Sequence, residues 1–136
     1  ELLEAYRPDF DPVVYKRCDY VIRENARVEQ ACMDLRKSDF YSFGQRMFGS
    51  HKGLRDDYEV SCRELDVLVD AASRVKGVLG ASMMGAGFGG CTINLVEEKA
   101  VEDFEEEVAR EYRNQFGKEP KFYISTLKSG TEIIES

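Results

Sequence analysis

Three things are scarce in this chain, and each scarcity closes off a class of function. Histidine occurs once, at His51, and the four cysteines, Cys18, Cys32, Cys62 and Cys91, include no closely spaced pair. Metal ligation by Cys and His is therefore not expected, and one imidazole leaves little room for a triad. Positive charge is also in short supply: 19 Lys and Arg face 26 Asp and Glu, a formal net charge of -7. Nucleic acid and anionic membranes call for a basic face, so neither is expected as a partner. Long apolar runs are missing too. Nothing approaches the ~20 residues of a membrane span, and the N-terminus carries no signal-peptide pattern. Cys18 and Cys32 fall on one predicted helix, about 21 Å apart at 1.5 Å per residue, too far to bridge. The four thiols sit in apolar patterns and read as buried and reduced, which points to a cytoplasmic protein.

What is present is enough chain, 136 residues, for one domain with a core that needs no staple. Its acidity is local. Eight carboxylates and two cations lie between Glu97 and Glu111, a net of -6, which leaves 18 acids and 17 bases elsewhere, a net of -1. Within that stretch Val101, Phe104, Val108 and Tyr112 keep helical spacing, so the carboxylates read as a solvated helix face rather than a metal site.

Glu1 to Phe10 is ambiguous, and without an initiator Met the chain is expected to be a processed product or a piece of a longer protein. Asp11-Pro12 supplies a capping acceptor and a proline at the first helical position. Val14, Cys18, Val21, Asn25, Val28, Cys32 and Leu35 then form one apolar stripe, with Asn25 as a buried amide. Ser38 is expected to cap a second helix carrying Phe40, Phe43 and Met47, broken at Gly49, Ser50 and Gly53, antiparallel to the first. Ser61 and Glu64 have capping-box spacing before a third helix that buries Leu65, Leu68, Val69 and Ala72 and closes at Gly77. Strands are predicted at Val78 to Met84, at Cys91 to Val96 with Cys91, Ile93 and Leu95 on one face, and at Phe122 to Thr126. A last extended piece is expected at Thr131 to Ile134. This order predicts an α+β domain: a helical pair plus an antiparallel sheet of ferredoxin-like character, with helices packed on one side.

The sharpest chemical feature is Gly85-Ala86-Gly87-Phe88-Gly89-Gly90. Four glycines in six positions are entropically costly, and pay off where backbone takes positive φ or approaches something closely. The pattern Gly85-x-Gly87-x-x-Gly90 matches a dinucleotide fingerprint literally, but a strand follows it and not a helix, so the pyrophosphate-binding helix end is missing. Two readings stay open: a hairpin needing glycine for its geometry, and a loop whose backbone lines a site. Phe88, an aromatic among glycines, favours the second. Asp56-Asp57-Tyr58-Glu59 offers carboxylates beside a phenol, though acids ahead of a helix are favourable through its dipole alone. His51 reads as a cap or solvated side chain, and Met47, Met83 and Met84 as core. The residues describe a domain that lends a loop to a site whose chemistry lies elsewhere.

Ser50-His51, Leu54-Arg-Asp-Asp-Tyr-Glu-Val-Ser-Cys62 and Gly85-Ala-Gly-Phe-Gly-Gly-Cys-Thr92 together resemble the C-terminal part of the galactokinase family, within the GHMP kinase superfamily. Glu24-Asn25-Ala26-Arg27-Val28 and Phe122-Tyr-Ile-Ser125 are similar as well, so the likeness runs from about Val14 to the end. N-acetylgalactosamine kinases are the nearest alternative, but they normally lack the second Asp and the loop Phe. The resemblance implies a two-lobed enzyme that moves the ATP γ-phosphate to the C1 hydroxyl of galactose, with Mg²⁺. It implies that residues 1–136 are a single C-terminal domain whose partner is the N-terminal lobe. That lobe, absent here, would hold the catalytic residues, most sugar contacts and the nucleotide loop. On this reading the chain carries no catalytic residue and no metal site, binds no cofactor by itself and is inactive alone. Gly85, Ala86, Gly87, Phe88, Gly89 and Gly90 would line the active site and brace the phosphate-binding loop. Where the family usually reads Ser-Arg-Met-Thr-Gly, this chain has Ala81-Ser82-Met83-Met84-Gly85. A ferredoxin-like module binding a small ligand or a protein, without catalysis, is the reading from another class.

Overall fold

The computed structural model describes residues 2–126. A short helix α1 (Leu2–Ala5) and a 3-10 turn (Arg7–Asp9) precede α2 (Pro12–Arg36), whose start is the one the sequence predicts. The Asp11 carboxylate accepts from the Val13 and Val14 amides at 2.9 and 3.2 Å, satisfying two of the donors every helix start leaves open. Ser38, at φ 56°, turns the chain into α3 (Phe40–Gly53). The cap of α3 is Asp39, not Ser38; its carboxylate accepts from the Ser42 amide at 3.0 Å. The two helices pair antiparallel as expected. Arg46 reaches back to Asp34, and Ser50 Oγ donates to Glu24 at 2.6 Å.

α3 does not break at Gly49 and Ser50. It runs through both and widens into a π turn (Leu54–Tyr58) that ends at Glu59, in left-handed conformation at φ 61°. Glycine is tolerated because α3 lies close against its neighbours. A Cβ on Gly44 would stand 2.1 Å from the Leu79 carbonyl oxygen, and one on Gly53 would stand 2.5 Å from the Tyr20 ring. Close packing therefore overrides a helix penalty of about 1 kcal/mol per glycine.

α4 (Arg63–Ser73) begins at Cys62 with no side-chain cap. The expected capping box does not form, because Ser61 Oγ donates to the Asp66 carboxylate at 2.6 Å instead of closing on the helix start. Strands β1 (Val78–Met84) and β2 (Cys91–Val96) pair antiparallel, Met83 opposite Thr92 and Met84 opposite Cys91, with an irregularity between Val78 and Gly80. α5 (Val101–Phe116) ends at Gly117, whose φ is 65°. Val69, Ala71 and Ala72 of α4, Ala81 of β1, and Phe104 and Val108 of α5 form the buried core.

The α+β class stands, with two strands in the sheet among the described residues. Residues 122–126 take no strand conformation. Phe122 instead sets its ring edge-on to Phe104, centroids 6.0 Å apart, so the core captures the aromatic without a ladder partner for its backbone. The piece expected at Thr131 to Ile134 lies outside the described residues.

The largest departure is on α2. Its predicted buried stripe faces outward: Val14 is 48%, Val21 43%, Val28 55% and Leu35 45% exposed. Asn25 is exposed with them. Cys32 and Cys91 are exposed and Cys18 and Cys62 half-buried, all four as free thiols, which corrects the expectation of buried cysteines. Met84 is likewise exposed, whereas Met83 is core. The periodicity is present, but among the described residues nothing covers that face.

Candidate functional site

Residues 85–90 connect β1 to β2, and five of the six take positive φ: Gly85 at 84°, Gly87 at 87°, Phe88 at 59°, Gly89 at 135° and Gly90 at 103°. Ala86 is the exception, which is why a side chain is tolerated there. Phe88 is the informative member. A non-glycine residue in the left-handed region costs about 1–2 kcal/mol, and its ring is 74% exposed, so burial of that ring does not offset the strain. The conformation is held by its backbone: the Phe88 amide donates to the Val60 carbonyl at 2.7 Å.

Gly87 explains the fit. A Cβ there would come within 2.1 Å of the Val60 oxygen and 2.8 Å of Met83 Cε. At Gly85, Gly89 and Gly90 a Cβ would meet nothing within 4 Å. One side of the loop is thus pressed on the segment before α4, and the other stands open with backbone accessible.

The seat beneath the loop contains the residue that sequence reasoning placed wrongly. His51 is not solvated; it is 2% exposed. Its Nδ1 accepts from the Met83 amide at 3.2 Å. Nε2 then carries the proton in the neutral ring, and it lies 3.2 Å from Asp66 Oδ1, the oxygen that also accepts from Ser61. Burial pushes the imidazole below its ordinary range, against the opposing pull of the Asp66 charge. The signal was available: Phe43, Met47 and His51 follow at steps of four, so an unbroken α3 turns His51 inward.

Asp56-Asp57-Tyr58-Glu59 is a clamp onto α2. Asp57 pairs with Arg23 at 3.0 Å, and Glu59 pairs with Arg17 at 3.0 Å and Lys16 at 3.4 Å. Tyr58 packs on Tyr20 with ring centroids 5.2 Å apart. Arg55 holds the Asp56 carboxyl below the usual range through a hydrogen bond at 2.8 Å. These acids are matched by cations, which leaves the structural reading in place. In the acidic stretch, Glu107 and Glu111 of α5 approach Arg74 at 3.6 and 3.5 Å, while Glu102, Asp103 and Glu106 are exposed.

Two clefts lie away from the loop, one lined by Arg27, Ser42, Gln45 and Arg46, the other including Arg7, Tyr15, Lys16 and Asp57. The loop itself is open to solvent at Gly85, Ala86, Phe88 and Gly90. Among the described residues no group of three or more His, Cys, Asp or Glu is placed to hold a metal ion. No helix among them is long and apolar enough to cross a membrane.

A strand–glycine loop–strand on a helical pair is a recognisable arrangement. The family model for the GHMP kinases C terminal region matches residues 33–114, more than half of the chain, and the chain belongs to that family. Its curated relatives point to one kind of GHMP kinase. The chain is 46% identical over 124 residues to a galactokinase of Clostridium beijerinckii, covering 91% of this chain and 32% of the relative. It is 42% identical over 134 residues to the Homo sapiens galactokinase, covering 98% and 33%. A Lactococcus lactis galactokinase solved in complex with galactose superposes with a TM-score of 0.85 at 36% identity, over 94% of this chain and 34% of that one. The chain thus spans about a third of the length of the curated relatives it matches.

Proposed function

We propose that this chain is the C-terminal lobe of a galactokinase. In the intact enzyme, the C1 hydroxyl oxygen of galactose attacks the γ-phosphorus of ATP. The bond from that phosphorus to the bridging oxygen breaks, ADP leaves, and the hydroxyl proton passes to a base of the other lobe. Transfer of this kind depends mostly on positioning and electrostatics. Gly85 to Gly90 contribute a backbone wall at the active site, bracing the phosphate-binding loop. Mg²⁺, which accompanies ATP in such transfers, finds no ligand set among the described residues and is assigned to the other lobe. Residues 1–136 are one domain, cytoplasmic in location, with a sheet of ferredoxin-like character.

The observation that carries this reading is the loop. Its strained, open-sided backbone sits on Val60, in a chain 46% identical to a galactokinase. The exposed α2 stripe supports it from a second direction, as a face for the N-terminal lobe to cover. The test is ATP-dependent phosphorylation by the intact protein, with galactose, N-acetylgalactosamine, mevalonate and homoserine compared. Galactose 1-phosphate is expected, and the isolated chain is expected to make none. Turnover of one of the other three without galactose would overturn the assignment. Saturable binding of a small ligand by the isolated chain would favour the non-catalytic reading.

A further inference from the structure

The glycine loop is held at two points, and only one of them is its own backbone. The first is the Phe88 amide on the Val60 carbonyl at 2.7 Å. The second lies where β1 hands over to the loop. There the Met83 amide faces away from β2 and donates to His51 Nδ1 at 3.2 Å. Such an outward amide on an edge strand must find an acceptor or be left unsatisfied in a buried place.

α3 delivers that acceptor because it runs alongside β1. Gly44 lies against Leu79 and Gly80 at one end, and His51 meets Met83 at the other. Seven helical residues rise about 10.5 Å, and four strand residues about 13 Å, so the two contacts stay in step. On its far side the ring lies 3.2 Å from Asp66 Oδ1, off the line of a straight hydrogen bond. Asp66 also accepts from Ser61, the residue after Val60. The two anchors of the loop are thereby joined through one path: Met83, His51, Asp66, Ser61, then Val60 and Phe88.

We infer that His51 is a positioning residue for the glycine loop, its neutral ring locking the end of β1 to the Val60–Ser61 segment so that residues 85–90 keep their place at the active site. It touches neither substrate nor the transferred phosphoryl group. The inference rests on the kinase reading for its effect on turnover, but not for its effect on the loop.

The test uses the intact enzyme with His51→Phe, which removes both contacts, and His51→Asn, whose side-chain carbonyl keeps an acceptor near the Met83 amide. Amide exchange is read at residues 83–90 alongside kcat and KM. For His51→Phe, exchange at 83–90 should rise at least about tenfold while α5 is unchanged. Its kcat should fall on the order of tenfold, with KM for galactose within about twofold. His51→Asn should recover a substantial part of both. A folded His51→Phe enzyme with native kcat and native exchange at the loop would overturn the inference. So would equal loosening of the loop and α5, or a His51→Asn enzyme no better than His51→Phe. Should His51→Phe not fold, Asp66→Asn decides: loop exchange and kcat must move in the same directions, and no change overturns it. If the unaltered enzyme does not phosphorylate galactose, the proposed function falls, and the exchange measurement still judges the role of His51.

Discussion

α4 and α2 carry apolar residues at the same helical spacing and meet opposite fates. On α4, Leu65, Val69 and Ala72 are buried, the last two in the core shared with β1 and α5. On α2, Val14, Val21, Val28 and Leu35 stand in the open, while the polar side of the helix is engaged by Asp57, Glu59 and Ser50. An amphipathic pattern records that a face is meant to be covered; it does not record by what. In a chain a third as long as its relatives, the uncovered stripe on this 25-residue helix is the face we propose the N-terminal lobe covers.

The sharpest separation of the two helices comes from truncating each. Leu65→Ala should destabilise the protein by about 2–5 kcal/mol, with or without the rest of the enzyme, because its cavity lies wholly inside this domain. With the stripe covered as proposed, Val28→Ala should cost about 1.5 kcal/mol in the intact protein, and less than about 0.5 kcal/mol in the isolated chain. Denaturant unfolding of both forms reads the difference. Equal costs for Val28→Ala in the two forms would break the comparison.

A pH titration sharpens it from the α3 side. Burial lowers the His51 pKa from its ordinary 6.5, so the unfolded chain takes up that proton first. Its contribution to stability is full above pH 6.5 and declines as pH falls below that value toward the folded pKa. Asp66 and Asp70 on α4 favour the charged ring, and Arg55 on the π turn opposes it; burial outweighs them. The unfolding midpoint should therefore drop on acidification from pH 7 to pH 5, and His51→Asn should flatten that drop. An unaltered slope in the variant would show that His51 is not the group responsible. The smallest effect belongs to the solvated side of α5: Glu106→Gln should change stability by less than about 0.5 kcal/mol.

Much of this was legible in the sequence. Asp11-Pro12 marked the start of α2, the helical spacing of Val101, Phe104, Val108 and Tyr112 marked α5, and the glycine-rich segment 85–90 separated two strands, the second marked by its alternation. Local chemistry is strong at those places and nothing distant competes with it. The misreadings fall where distant contacts decide. Gly49, Ser50 and Gly53 read as helix breakers until Arg27 is seen against Gly49 and Tyr20 against Gly53, and that error hid His51. Ser61 has a better partner in Asp66 than in the start of α4. The glycine loop was visible as composition, while its seat on Val60 was not, because nothing in residues 85–90 names position 60. The orientation of α2 could not be read from its periodicity, since none of the described residues covers its apolar stripe.

The central claim is that a larger protein covers the α2 stripe, and Cys32 lies on that stripe as an exposed free thiol. The direct measurement is the rate of thiol alkylation at Cys32 in the intact native protein, mapped by mass spectrometry and compared with the same protein unfolded. The account predicts alkylation slowed at least about tenfold in the native state. A native rate equal to the unfolded one would mean that the stripe is open in the whole enzyme, and would contradict it.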